Sequence, residues 1–253
     1  MAWLTGRDPS RRCSWRASVR GKLEYAQGEK RGKVPRASWG ATLLALRGKS
    51  VPRRAAPVRR SGQTRVLRII GGKWRGRKLR FPPAAAIRPT PDRVRETLFN
   101  WLGARIAGAR CLDLFAGSGA LGLEALSRGA AEVTFVETDP LAARELRARV
   151  SEWDAAKQAR IERADALTYL AGAAQPFGVV FLDPPFDSGL LGRAASLLAA
   201  RPWLAPGALI YVESPARAPL PALPSTWQAL KAKRAGEVGY HLYAHSATHA
   251  PTP

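Results

Sequence analysis

One stretch constrains this chain more than any other: Cys111-Leu112-Asp113-Leu114-Phe115 followed by Ala116-Gly117-Ser118-Gly119-Ala120-Leu121-Gly122. The first five residues have the composition of a buried strand, and the glycines that follow open a helix near Ala120. A strand that breaks into glycines and re-forms as a helix is a ligand-cradling turn. The pattern around it repeats. Strand-like runs at Cys111–Phe115, Glu132–Val136, Arg160–Arg163, Gly178–Leu182 and Ala208–Val212 alternate with helical stretches near 120–128, 140–153, 166–171 and 188–200. Asp139-Pro140 opens the second helix by a cap followed by proline at the first helical position. Strands separated by single helices predict an α/β fold with a mostly parallel, doubly wound, Rossmann-like sheet. Ligands of such sheets bind at the carboxyl ends of the strands, where the strand order reverses. Trp227–Lys231 and Val238–Tyr243 read as an antiparallel edge.

Upstream of the sheet lie two basic segments. Residues 1–63 form a basic N-terminal extension without hydrophobic periodicity, expected to be disordered; through residue 64 there are sixteen Lys or Arg against three acids, +13 of the chain's +22. The readings that compete for it are a flexible basic arm that binds RNA, an Arg-rich, acid-poor targeting segment, an idle tail and a start codon chosen too far upstream. Residues 64–87 read as a hairpin, with Arg65–Ile70 as one strand, Gly71-Gly72 as the turn and Lys73–Leu79 as the return. Lys73, Arg75, Arg77 and Lys78 around Trp74 are placed to grip phosphates, with the ring stacking a base. Arg88 and Arg93 continue that basic surface. Thr90-Pro91-Asp92 then marks a helix start, with Thr90 as the cap and Val94, Leu98, Trp101 and Leu102 as its apolar stripe. The sheet domain spans 88–245 and a short tail 246–253.

A net charge of +22 favours a polyanionic partner. Only Cys13 and Cys111 are present, so no disulfide framework or cysteine metal cluster is available. His241, His245 and His249 straddle a strand end and a polar tail, and no metal is expected.

The acids specify more. Gly117, Gly119 and Gly122 have the spacing of a dinucleotide turn, and Glu137 lies where a ribose-binding acid belongs. That spacing alone fits any nucleoside ligand. Asp113, inside the first strand, can anchor the glycine turn or an ammonium group of the ligand, and Asp165, after the third, can accept from an adenine amine. Asp183-Pro184-Pro185-Phe186 ends the fourth strand. An exocyclic base amine is a weak nucleophile because its lone pair is delocalised into the ring. Acceptors at the Asp183 carboxylate and the Pro184 carbonyl, held rigid by the prolines, favour a pyramidal nitrogen aimed at a methyl donor. Phe186 is suited to stack on an extruded base.

These motifs carry a resemblance. The chain resembles class I S-adenosylmethionine-dependent methyltransferases of the amino-group type, and more narrowly the RsmD family of 16S ribosomal RNA guanine-N2 methyltransferases. The match runs from about Arg68 to Tyr243. Besides the glycine turn and the Asp-Pro-Pro-Phe sequence, it includes Arg68–Gly72, Trp74–Leu79, Arg88–Thr90, Asp92–Leu102 and Tyr211-Val212-Glu213. The resemblance implies a cytoplasmic, monomeric enzyme acting on 16S rRNA in assembled small-subunit particles. It places S-adenosyl-L-methionine against Asp113, Ala116, Gly117, Gly119, Glu137 and Asp165, and the target base against Asp183, Pro184, Pro185 and Phe186. Residues 1–60 depart from the family, which has only a short basic lead there. A DNA adenine-N6 or cytosine-N4 methyltransferase would share the tetrapeptide but lacks here a target-recognition domain. A glutamine methyltransferase leaves the basic hairpin unexplained, and a non-catalytic RNA-binding assembly factor leaves both motifs without a reason to be intact.

Overall fold

The computed structural model describes residues 65–81 and 90–246, all within one compact unit, Ala56–Pro253. The extension at 1–63, hairpin residues 82–87, Arg88 and the tail beyond Ser246 lie outside the described residues.

The seven-stranded sheet is built from β3 (Arg110–Asp113), β4 (Glu132–Val136), β5 (Ala159–Glu162), β6 (Phe177–Leu182), β7 (Leu204–Pro215), β8 (Trp227–Ala235) and β9 (Val238–His245), in the order β5-β4-β3-β6-β7-β9-β8. β3 to β7 are parallel, and β9 joins β7 antiparallel, with β8 at the edge. Strand order reverses between β3 and β6, which fixes where a ligand can bind. The central strands are continuously apolar because both faces are covered. Along β6, Val179 and Phe181 enter one core layer while Val180 and Leu182 enter the other. α1 (Asp92–Leu102), α2 (Ala120–Ser127) and α3 (Pro140–Glu152) pack into the first layer, and α4 (Ala166–Ala171) and α5 (Leu190–Ala200) into the second. The doubly wound fold expected from the sequence is the fold observed. Among the described residues no helix is long and apolar enough to cross a membrane.

The glycine turn is fixed by packing as much as by backbone freedom. Gly119 has φ +73°, and a Cβ there would lie 2.5 Å from Leu146 Cδ1 of α3. A Cβ on Gly122 would meet the Phe135 ring at 2.2 Å, so α2 lies directly on β4.

Two local expectations are corrected. Gly71-Gly72 is not a two-residue hairpin turn: β1 (Arg65–Arg68) and β2 (Lys78–Phe81) pair with Leu67 opposite Leu79, and nine residues connect them through a single 3-10 turn, Gly72–Trp74. The connection is long because it docks onto α2. Glu124 accepts from the N–H groups of Ile70 at 2.7 Å and Gly71 at 2.8 Å, while Ser127 Oγ accepts from Trp74 N at 2.9 Å. Thr90 does not cap α1 either. Pro91 occupies that position, and the Thr90 hydroxyl is committed elsewhere. The stripe itself holds, with Val94, Leu98 and Leu102 buried and Trp101 half-buried; Arg95 and Phe99 are buried beside them.

Arg95 and Glu124 are fully buried and joined at 3.5 Å. Asp92 at 2.7 Å from Arg95, and Arg128 at 2.7 Å from Glu124, extend the network. Removing one partner of such a group leaves an uncompensated charge in the core. Glu124→Ala is therefore expected to lower unfolding stability by about 3–5 kcal/mol, read as a fall in the urea midpoint.

Candidate active site

Parallel register brings the acids together. Asp113 on β3 lies opposite Phe181 on β6, and Leu182 lies opposite Val212 on β7, so Asp183 follows one strand just where Glu213 follows in the next. All three carboxylates line one cavity of about 1030 Å³. The same cavity is lined by Phe115, Ala116, Gly117, Glu137 and Asp165 on one side, and by Pro184, Pro185 and Phe186 on the other. The glycine turn and the Asp-Pro-Pro-Phe corner thus open on the same side of the sheet.

Several of the acids hold the scaffold as well. Asp113 is buried, and its Oδ2 accepts from Gly122 N at 3.0 Å, tying the start of α2 to β3. Glu137 accepts from Gly117 N at 2.6 Å and from Asp139 N at 2.7 Å, so one carboxylate bridges two loops. Asp165 caps α4 through Leu167 N and Thr168 N, both at 3.0 Å to Oδ1. Gly119 does not line the cavity; its place is in the packing against Leu146.

Sequence reasoning missed a cluster behind Asp183. Glu213 Oε1 accepts from Thr90 Oγ1 and from Tyr211 Oη, each at 2.9 Å, and Thr90 Oγ1 also stands 3.3 Å from Asp183 Oδ2. The signal was available. Glu213 is a fifth acid at a fifth strand end, within the Tyr211-Val212-Glu213 motif, and Thr90 looked sufficient as a helix cap. A threonine hydroxyl has one hydrogen. Glu213 and Asp183 therefore compete for it, and the shorter contact gives Glu213 the stronger claim.

The electrostatics agree with that geometry. Burial, partly offset by the Gly122 N–H and reinforced by Glu137, pushes Asp113 up to about 7. Burial, with Glu213 and Asp113 nearby, raises Asp183 well above the usual carboxylate range, against the pull of Thr90. Burial pushes Glu213 up to about 6, although the Tyr211 and Thr90 hydroxyls favour its ionised form. Arg93 is the single Lys or Arg among the residues lining the cavity. Positive charge brought into such a chamber is favoured by its carboxylates.

With this geometry in place, comparison with known proteins is decisive. The family described as conserved hypothetical protein 95 matches residues 67–244. The ribosomal RNA small subunit methyltransferase D of Escherichia coli strain K12 is 50% identical over 187 residues, covering 74% of this chain and 92% of that protein. The chain belongs to the RsmD family of class I S-adenosylmethionine-dependent methyltransferases. The solved structure of the Escherichia coli protein yhhF aligns with this RsmD-family chain at a TM-score of 0.67 and 48% identity, covering 72% of this chain and 99% of that one. A second solved structure, the Thermus thermophilus 16S rRNA N2 G1207 methyltransferase RsmC in complex with AdoMet and guanosine, aligns at 0.52 and 26% identity, covering 73% of this chain and 50% of that one.

The basic residues expected to bind RNA are divided in this RsmD-family structure. Arg93 is exposed at the cavity, whereas Lys73, Trp74, Arg75, Arg77 and Lys78 do not line it. Trp74 is corrected outright as a base-stacking residue. Its ring is buried, 5.0 Å from that of Trp153. The loop that carries it docks on the last turn of α2, a helix length of about 12 Å from the glycine turn.

The raised carboxylates set the sign of the pH dependence. Folded protein keeps protons that the unfolded chain has released by about pH 4, so this contribution is fully present below that value and is lost as pH rises through about 6 to 7. Asp113→Asn keeps an acceptor for Gly122 N without the charge. It is expected to flatten the fall in thermal midpoint between about pH 5 and 8, and to exceed wild type in stability at the upper end by on the order of 4 kcal/mol at most.

Proposed function

We propose that this protein transfers a methyl group from S-adenosyl-L-methionine to the exocyclic N2 amine of a guanine in 16S rRNA of the small ribosomal subunit. The observation that carries the reading is that residues of the glycine turn and Asp183–Phe186 line one shared cavity. The family and the relative named as a small-subunit rRNA methyltransferase support RNA as the substrate. The Thermus enzyme, on the same fold, supports the N2 amine of guanine.

When bound, S-adenosylmethionine supplies an electrophilic methyl on a sulfonium. Glu137 and Asp165 would accept from its ribose and adenine, Ala116 and Gly117 would help to hold it, and Asp113 would favour its positive charge. Positive charge in the cavity favours the ionised form of Asp183, which can then accept from the target amine together with the Pro184 carbonyl. Phe186 stacks on the base. The nitrogen would gain a bond to the methyl carbon as the carbon–sulfur bond breaks, with that electron pair left on the neutral sulfur, and one N–H hydrogen must leave as a proton. Asp183 is the acceptor for it, and Thr90 links Asp183 to Glu213. The prolines fix these acceptors, so most of the acceleration comes from alignment. We further propose that the assembled small-subunit particle is the substrate form.

The test is transfer of labelled methyl to 16S rRNA, offered free or in particles, from cells lacking the activity. Wild type is expected to label N2 of one guanine. Asp183→Asn should lower the rate by at least about 100-fold while affinity for S-adenosylmethionine stays within a few-fold. Labelling of duplex DNA in place of rRNA would refute the assignment.

A further inference from the structure

The last strand of the sheet carries charge that the chemistry at Asp183 does not use. β8 is exposed from Gln228 to Arg234 and presents Lys231, Lys233 and Arg234 before turning through Ala235–Val238, residues that line the cavity. Pairing fixes the faces. Lys231 lies opposite Leu242 and Lys233 opposite Tyr240, and directly opposed residues share a face of the sheet. Tyr240 and Leu242 belong to the core layer that α1 covers, so both lysines stand on the α1 side.

α1 contributes to the same surface. Arg93, Thr97 and Trp101 follow one another at i, i+4 and i+8 along one side of the helix, and the half-buried Trp101 ring stacks on Tyr240 at 5.3 Å and 28°. The helix rises over β9, and β8 lies open beside it as a ledge. The exposed acid Glu96 sits about 140° round the helix from Trp101 and about 60° from Arg93, on the side of Arg93 opposite to Thr97 and Trp101, and Glu237 lies in the turn at the cavity end. Lysines on an edge strand also block unwanted strand pairing. The irregularity between Ala229 and Lys231 already serves that end, and edge protection does not require an arginine on the adjoining helix at the cavity mouth.

We propose that this ledge is the RNA platform of the enzyme: the strand flanking the target guanine runs along β8 with its phosphates on Lys231 and Lys233, and meets Arg93 where the base leaves for the cavity. The two lysines are about 6.7 Å apart along the strand, a spacing suited to successive phosphates of an extended single strand. The hairpin cations are worse placed. Lys73 already donates to Gln158 at 3.2 Å and covers the Trp74 ring at 4.5 Å, and Arg77 lies over Trp153 at 5.5 Å, at the end of α2 remote from the glycine turn. The proposal rests on the methyl-transfer reading at Asp183.

The experiment compares wild type, Lys231→Gln/Lys233→Gln, Lys231→Arg/Lys233→Arg and Arg75→Gln/Arg77→Gln. Binding to unmodified small-subunit particles is measured by filter retention between about 50 and about 200 mM salt, with calorimetric affinity for S-adenosylmethionine as the control on folding. The glutamine pair on β8 is expected to bind at least tenfold more weakly, with the slope of log affinity against log salt reduced by about 1.4. Its affinity for S-adenosylmethionine should stay within twofold, the arginine pair should restore particle binding, and the hairpin pair should lose less. Particle binding within twofold of wild type and an unchanged slope in the β8 glutamine pair would overturn the platform, as would an arginine pair that restores nothing. If wild type neither retains nor methylates the particles, the methyl-transfer reading falls and the platform with it; if wild type methylates while the β8 pair binds normally, the platform alone falls.

Discussion

Three parallel strands held in register force three carboxylates into one low-dielectric corner, and the site follows from that constraint. Asp113 ends β3, Asp183 follows β6 and Glu213 lies near the end of β7, and backbone pairing leaves none of them free to move away. Like charges confined in this way cannot all ionise cheaply. The protein answers with hydroxyl and amide donors: Gly122 N for Asp113, and Thr90 and Tyr211 for Glu213. Asp183 has only a shared contact with Thr90, and burial first, then Glu213 and Asp113, raises it well above the usual carboxylate range. It is the carboxyl left poised to change protonation state when charge enters the cavity.

The second constraint is the buried ionic knot around Glu124, which joins segments far apart in sequence. Glu124 on α2 receives the hairpin backbone at Ile70 and Gly71 and the α1 side chain Arg95, while Arg95 also donates to Arg68 O at 2.7 Å. The hairpin is thereby part of the sheet domain's packing, with Ile69, Trp74 and Leu79 in the same core layer as α1 and α2. Since α1 begins next to Thr90, the knot also fixes the hydroxyl between Asp183 and Glu213. The docking of α2 and the position of Thr90 beside Asp183 thus depend on the same buried network.

The sheet was legible because its signals are local and redundant. β4 was bounded correctly from Glu132 to Val136, and the Asp139-Pro140 start of α3 is borne out by Asp139 accepting from Ala142 N at 2.7 Å. The hairpin loop was misread for the opposite reason. Gly71-Gly72 has the composition of a tight turn, but the contacts that open it into nine residues come from Glu124 and Ser127, more than fifty positions away. Trp74 misled in the same way, since a tryptophan among arginines fits a base platform until Trp153 is known to cover it. Thr90 has a preference for helix caps, and only the fold reveals that its hydroxyl has stronger partners in Glu213 and Asp183. Tertiary contacts overrode local propensity in each case.

The distribution of charge bears on how a polyanion meets this site. The chain carries +22 overall, yet the chamber is lined by Asp113, Glu137, Asp165, Asp183 and Glu213 with Arg93 at its mouth. Phosphates are attracted to the outer surface and repelled from the interior. A cationic donor is favoured inside. Bases and riboses are uncharged where phosphates are not, so on the methyl-transfer reading proposed above a base that leaves the stack can enter such a chamber without charge repulsion. On that reading, partition by charge would separate the components before any shape is read: phosphate outside, base across the threshold at Arg93, and positive charge within. This also accounts for a helix start at Thr90 that joins an arginine on the rim to a hydroxyl in the interior three residues earlier.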